Sequence, residues 1–159
     1  MIVLRKQKKL PLILISETPN LQNELILPKV PKDLISVKKG ELQNSKLPRI
    51  RLFKNVGDAV SGTFLDKNIK GKKFYVYQGK YMRPDNTYEP ELSECPTLLK
   101  IPEIWYLEGL EVDYIGEIEI LGPEKIETYH YGPKQTTGRF IRWKWKEILK
   151  PWEKRGKLR

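Results

Sequence analysis

Rings and cations alternate most densely in the stretch Thr137–Trp152, TGRFIRWKWKEILKPW. In an extended chain successive side chains point to opposite faces, so Phe140, Arg142, Lys144 and Lys146 fall on one side and Ile141, Trp143 and Trp145 on the other. A basic face can track a polyanion by displacing its counterions, and exposed rings can stack on unpaired bases. The competing reading is an amphipathic surface strand whose tryptophans are core and whose cations are merely solvated. The same chemistry recurs in KKFYVYQ, Lys72–Gln78. There Tyr75 and Tyr77 are expected to point outward and Phe74 and Val76 inward, because a phenol tolerates full burial less well than Phe or Val. Lys72, Lys73 and Lys80 are the matching phosphate contacts, and Tyr81, Met82 and Arg83 extend the groove. Tyr129 and Tyr131 share one face of a later strand, and Arg139 heads the cation row Arg142, Lys144 and Lys146.

Other chemistry is poorly supplied. Cys95 is the only cysteine and His130 the only histidine, which excludes an internal disulfide and any zinc site built from several such ligands. Asp85, Glu89, Glu91, Glu111, Asp113, Glu117 and Glu119 could hold Mg²⁺ for phosphodiester cleavage. The lysine that such a site wants two residues beyond a core-strand carboxylate is missing, and alternation explains these acids as the wet side of a half-buried sheet. No phosphate-cradling GxxxxGK[ST] loop occurs, and Cys95, His130 and the serines form no nucleophile–base motif. The expectation is a non-enzyme with no catalytic residue, cofactor or metal.

The elements that must position these groups follow from composition and pattern. A chain of 159 residues suits one domain with extensions, and it carries a formal charge of +10. Residues 1–56 have a balance of +8, residues 57–124 of −6 and residues 125–159 of +8. Basic ends around an acidic middle fit a protein of which only part tracks phosphates; they also fit electrostatic self-association, the basic ends of one chain meeting the acidic middle of a neighbour. The longest early apolar run, Leu12–Ile15, is too short to span a bilayer, and the first residues lack the order of a secretory signal, so the reading is intracellular with no membrane partner. Heavy use of Lys, Glu and Ile resembles proteins from hot environments.

Prolines at 11, 19, 28, 31 and 48 argue against a long helix in a basic arm over residues 1–47, partly draped on the domain. Short edge strands are expected at Leu12–Ser16 and Glu24–Leu27, and a turn of helix at Pro31–Val37. Over residues 48–152 strands are expected at Arg49–Phe53, Ala59–Leu65, Lys72–Gln78, Leu110–Ile115, Glu117–Leu121 and Ile126–Tyr131, with breaks at Gly116 and Gly122-Pro123 and a long loop over 79–103. Trp105 and Tyr106 read as core or as a cap on a barrel end. Residues 153–159 form a basic tail.

The run Val56–Leu65, with its Gly57-Asp58 and Gly62-Thr63-Phe64, resembles the opening strand of small phage and prokaryotic OB-fold single-stranded DNA-binding proteins. Gly109–Gly116, GLEVDYIG, resembles their later "G-x-x-V-x-Y-x-G" strand. The resemblance implies a mainly β, five-stranded OB-like Greek-key barrel that binds single-stranded DNA in replication, recombination or repair, in a virus or mobile element. The chain departs from that pattern at its end, which carries Lys154, Arg155, Lys157 and Arg159 where such proteins have an acidic tip. RNA binding is a close variant that the sequence does not separate from it, because discrimination rests on contacts to the 2′-OH. A structural nucleoprotein component that forms a homo-oligomer through its basic ends and acidic middle is the alternative from another class.

Overall fold

In the computed structural model the described residues are 12–30, 47–64, 67–92, 94–131 and 134–149. The expected helical turn at Pro31–Val37 and the tail over 153–159 lie outside them. The elements are β1 (Ile13–Ser16), β2 (Ile50–Leu52), α1 (Val56–Phe64), β3 (Lys73–Lys80), β4 (Thr87–Tyr88), β5 (Ile104–Tyr106), β6 (Glu111–Tyr131) and β7 (Thr136–Leu149). They form two open sheets, one of four strands in the order β1-β3-β6-β7 and one of three in the order β2-β5-β4. A closed five-stranded barrel is therefore not what this chain builds: the fold is mixed α/β. β1 and β7 remain as edges of the larger sheet, and a single antiparallel bridge, Ile13 to Phe53, stitches β1 to the end of β2.

The decisive departure is at Val56–Phe64, found as one helix where a turn at Val56–Asp58 and a strand at Ala59–Leu65 were expected. Asn55 caps it: its Oδ1 accepts the Asp58 backbone N–H at 2.8 Å, and Asp58 places a negative charge in the first turn, where the helix dipole favours it. Val56, Ala59, Val60 and Phe64 recur at helical spacing and turn inward together. Gly62 permits the close approach that follows, since a Cβ there would lie 2.4 Å from Cε2 of Phe53. With this segment helical, the barrel loses a strand and the helix fills one side of the sheet instead.

β6 is the spine. The breaks read at Gly116 and Gly122-Pro123 are register slips inside one strand of 21 residues, which pairs with β3 along Glu111–Glu119 and with β7 along Glu117–Tyr131. A slip opposite Val76/Tyr77 leaves Ile115 as an extra residue, and others follow at Ile120/Gly122 and Pro123/Lys125. Each lets the strand bend without losing the ladder on either side. Pro123 is tolerated because β6 pairs only with β7 there, so its missing N–H deprives no second neighbour.

Both faces of the larger sheet are covered. Phe74, Val76, Ile118 and Ile120 pack with α1, Phe53, Ile101, Phe140 and Trp143 on one side. Tyr77 and Val112 pack with Leu12, Ile50, Leu52, Tyr106 and Leu110 on the other, under the smaller sheet. Fully burying a residue such as Phe74 contributes roughly 1.5–3 kcal/mol, so two such layers outweigh the weak local preferences of the strands. Residues 12–30, which the sequence reading gave to the arm, supply β1 and a bridge from Ile26 to Leu110.

Candidate nucleic-acid interface

The two-sided core decides which rings are available. Tyr77 is fully buried, and its hydroxyl donates to the Thr18 carbonyl at 2.6 Å; burial raises its pKa. It is a packing residue, and its expected outward orientation is corrected accordingly: the face of β3 opposite Phe74 is roofed by the second core. Tyr129 is buried against Phe140, with ring centroids 6.2 Å apart, and covers Gly138, where a Cβ would sit 2.4 Å from the ring. Trp143 is buried in the same core, and among the described residues its Nε1 has no hydrogen-bond partner. The strict alternation expected along β7 fails at this point. Phe140 and Trp143, three residues apart, enter one core on either side of the register slip at Pro123/Lys125. Tyr131 ends β6, and its side chain lies outside the described part. Tyr75 and Trp145 remain half-buried. Tyr75 stands with Tyr77 and Tyr114, their rings 6.4 and 6.2 Å from that of Tyr114.

The cations separate into three groups. Arg142 is a clamp: its guanidinium donates to Asp58 of α1 at 2.8 Å, to Glu127 of β6 at 2.8 Å and to the Lys100 carbonyl at 2.7 Å. Partial burial would lower its pKa, but the bonds to Asp58 and Glu127 raise it, and the bond from Arg142 holds the Glu127 carboxyl below its usual range. Lys80, Tyr81 and Arg83 lie at the far end of β3, with Lys80 paired to Asp113 at 3.5 Å and Arg83 to Glu108 at 3.8 Å. Arg139 stands apart from the three groups, exposed on the ribbon that β6 and β7 form beyond β3.

The third group converges. The register sets Lys73 opposite Glu119 and Glu119 opposite Lys146, in one row across three strands. Lys144 follows along β7, opposite Gly122. Lys70 and Lys72 sit in the turn whose backbone joins the same place, through Gly71 N–H to Ile120 and Ile120 N–H to Lys72, at 2.8 and 2.9 Å. All five lysines are exposed, and among the described residues only Lys146 has an ion pair, with Glu119 at 3.8 Å. Tyr75 projects to the same face as Lys73. Lys70 was missed from the sequence because a turn lysine carries no periodic signal; only the pairing of the turn with β6 recruits it.

Among the described residues the most enclosed carboxylate, that of Glu103, lies elsewhere. Arg51 grips Glu103 through two bonds, at 2.9 and 2.7 Å, and donates to the Gly62 carbonyl, while Trp105 Nε1 donates to Glu103 at 2.6 Å. Burial alone would push Glu103 up, but the Arg51 guanidinium and the bonds from Arg51 and Trp105 hold its carboxyl below the usual range. Arg49 lies 3.9 Å from the centre of the Trp105 ring. Burial pushes the Cys95 thiol up to about 12, which favours the protonated thiol. A cleft of about 180 Å³ opens beside this network, lined by Leu52, Lys54, Glu89, Pro90, Leu98, Pro102, Glu103 and Ile104. Among the described residues no group of three or more His, Cys, Asp and Glu is placed to hold a metal, and no helix is long and apolar enough to cross a membrane. No family model matches the chain, and neither the curated proteins nor the solved structures contain a match.

Proposed function

We propose that this chain binds single-stranded nucleic acid without catalysis and with little sequence preference, gripping the phosphate backbone at the end of the larger sheet. The observation that carries the reading is the convergence of Lys70, Lys72 and Lys73, at the turn into β3, with Lys144 and Lys146 of β7. Charge leads and stacking follows: with Tyr77, Tyr129 and Trp143 buried, Tyr75 is the ring on the Lys73 face that an unpaired base can meet. Each neutralised phosphate on a single strand contributes about −0.7 to the slope of log K against log salt, so four or five contacts give a slope near −3. The ring adds the preference for unpaired bases, roughly 1–3 kcal/mol per stacked base.

The test is a titration of labelled oligo-dT, and of a duplex of equal length, at several salt concentrations. The triple variant Lys72→Gln, Lys73→Gln, Lys144→Gln should flatten the slope by about 2, and Tyr75→Ala should erase most of the preference for the single strand while leaving the slope alone. Absence of binding at the lowest salt, or an unchanged slope in the triple variant, overturns the reading.

A further inference from the structure

Two acids border the converging lysines, and they are held differently. Glu119 is compensated, opposite Lys73 and paired with Lys146 at 3.8 Å. Glu117, two residues earlier on the same face of β6, is half-buried, and its Oε2 accepts from the hydroxyl of Tyr114. Among the described residues nothing else reaches that carboxylate by hydrogen bond or ion pair. Alternation alone would put Tyr114 and Glu117, three residues apart, on opposite faces. The slip that leaves Ile115 as an extra residue turns both to the face of Tyr75 and Tyr77, with Tyr114 opposite Tyr77 and Glu117 opposite Tyr75. Burial and the neighbouring carboxylate push the Tyr114 hydroxyl up, so it remains the donor in this bond. A carboxylate is thus fixed through one oxygen beside Tyr75, whose ring lies 6.4 Å from that of Tyr114.

An uncompensated negative charge at this place opposes phosphate, but it suits the edge of a base. A carboxylate accepts hydrogen bonds and cannot donate them. Among the common bases guanine alone offers it two parallel donors, N1–H and N2–H, which a carboxylate receives as a fork. Cytosine and adenine offer one amino group, and the N3–H of thymine or uracil is flanked by two carbonyl oxygens that repel a carboxylate. In Glu117 the whole of Oε1 and the second lone pair of Oε2 are open to that fork. Lys73 precedes Tyr75 by two residues on the same face, about 7 Å along β3, so a nucleotide whose base lies on Tyr75 can keep its phosphate beside the lysines while its Watson–Crick edge turns to β6. We infer that Glu117 reads the base stacked on Tyr75 and favours guanine at that one position, with Tyr114 as the positioning residue that holds the carboxylate. The inference rests on the single-strand reading above and adds one preferred base to an otherwise sequence-tolerant grip.

The full chain is titrated with three labelled oligonucleotides of equal length: oligo-dT, the same strand with one central dG, and the same strand with deoxyinosine there, which lacks the N2 amino group. The central dG should tighten binding about tenfold over oligo-dT, and inosine should lose most of that gain. Glu117→Gln presents an amide N–H to one of the guanine donors, and should bring the dG strand to within about twofold of oligo-dT. Oligo-dT itself should bind this variant at least as tightly as the parent, because a negative charge has left the neighbourhood of the lysines. Tyr114→Phe releases the carboxylate and should shrink the guanine gain while the salt slope for oligo-dT stays as it was. Thermal melts of both variants separate lost preference from lost folding, and the inosine strand needs no variant at all. Equal affinity of the parent chain for the dG strand and oligo-dT, or a guanine gain that inosine or Glu117→Gln leaves intact, overturns the inference while the grip on oligo-dT stands. Failure of oligo-dT to bind at the lowest salt removes the single-strand reading and this inference with it.

Discussion

Arg142→Met separates a phosphate contact from a clamp. Met keeps much of the aliphatic stem and removes the bonds to Asp58, Glu127 and the Lys100 carbonyl, all between 2.7 and 2.8 Å. A hydrogen bond to a charged group is worth about 1.5–3 kcal/mol when buried. The three here share one guanidinium that is 23% exposed, and they are not additive, so the loss should be about 2–3 kcal/mol in all. For a domain of this size that lowers Tm by roughly 5–10 °C. A double-mutant cycle with Asp58→Asn should return a coupling of about 1 kcal/mol between α1 and β7. The acid limb gives a second signature. Because the Arg142 bond depresses Glu127, the stability it contributes is present above the unfolded carboxylate pKa near 4.3 and is lost as pH falls through the lower folded value. In Arg142→Met that part of the decline between about pH 5 and 3 should flatten. Thermal melts from pH 3 to 7, with salt titrations of oligo-dT binding alongside, decide the matter. An unchanged Tm together with a binding slope flattened by about 0.7 would show that Arg142 meets phosphate and that the clamp is not energetically real.

Three further outcomes follow from the packing. Glu103→Gln leaves Arg51 facing a neutral amide and should cost about 3 kcal/mol, with less loss of stability on acidification than the parent because the depressed carboxyl is gone; equilibrium denaturation at pH 7 and pH 4 reads both. Gly62→Ala forces a methyl against Phe53 and should lower the urea midpoint by an amount equivalent to about 1–3 kcal/mol, with the m-value unchanged. Tyr77→Phe deletes the bond to Thr18 and should cost about 1 kcal/mol in the same assay, leaving the salt slope of oligonucleotide binding as it was; a large loss of affinity without loss of stability would return Tyr77 to the binding face.

Strands with strong alternation were legible. Lys72–Gln78 is largely β3, and Phe74 and Val76 face the core as their residue types suggest. Tyr77 was misplaced because alternation identifies two faces and cannot say that both are roofed; the second roof comes from β2 and β5, segments far away in the chain. At Val56–Phe64 two periods competed. Gly62 and the valines fit a strand, while Asn55, Asp58 and the Val56/Ala59/Val60/Phe64 spacing fit a capped helix, and the cap was the signal to follow. Gly116 and Gly122-Pro123 were read as ends of strands because those residues usually punctuate; here they are the bends of one long strand. The lysine patch was half visible. Lys72, Lys73, Lys144 and Lys146 were chosen by their neighbours in sequence, but only the register through Glu119 makes them one surface, and the same register removes Arg142 from it.

The central position of β6 has a bearing on synthesis. When the ribosome has delivered everything through Tyr106, β1 and β3 can pair, but the hydrophobic row of β3 still lacks the neighbour that arrives with Glu111–Glu119, and α1 lacks the Phe140 and Trp143 that will cover it. Folding of the nascent chain should therefore wait for the final third of the polypeptide, and nascent chains stalled at Tyr106 should be cut readily by protease where chains stalled after Leu149 with the exit tunnel cleared resist it.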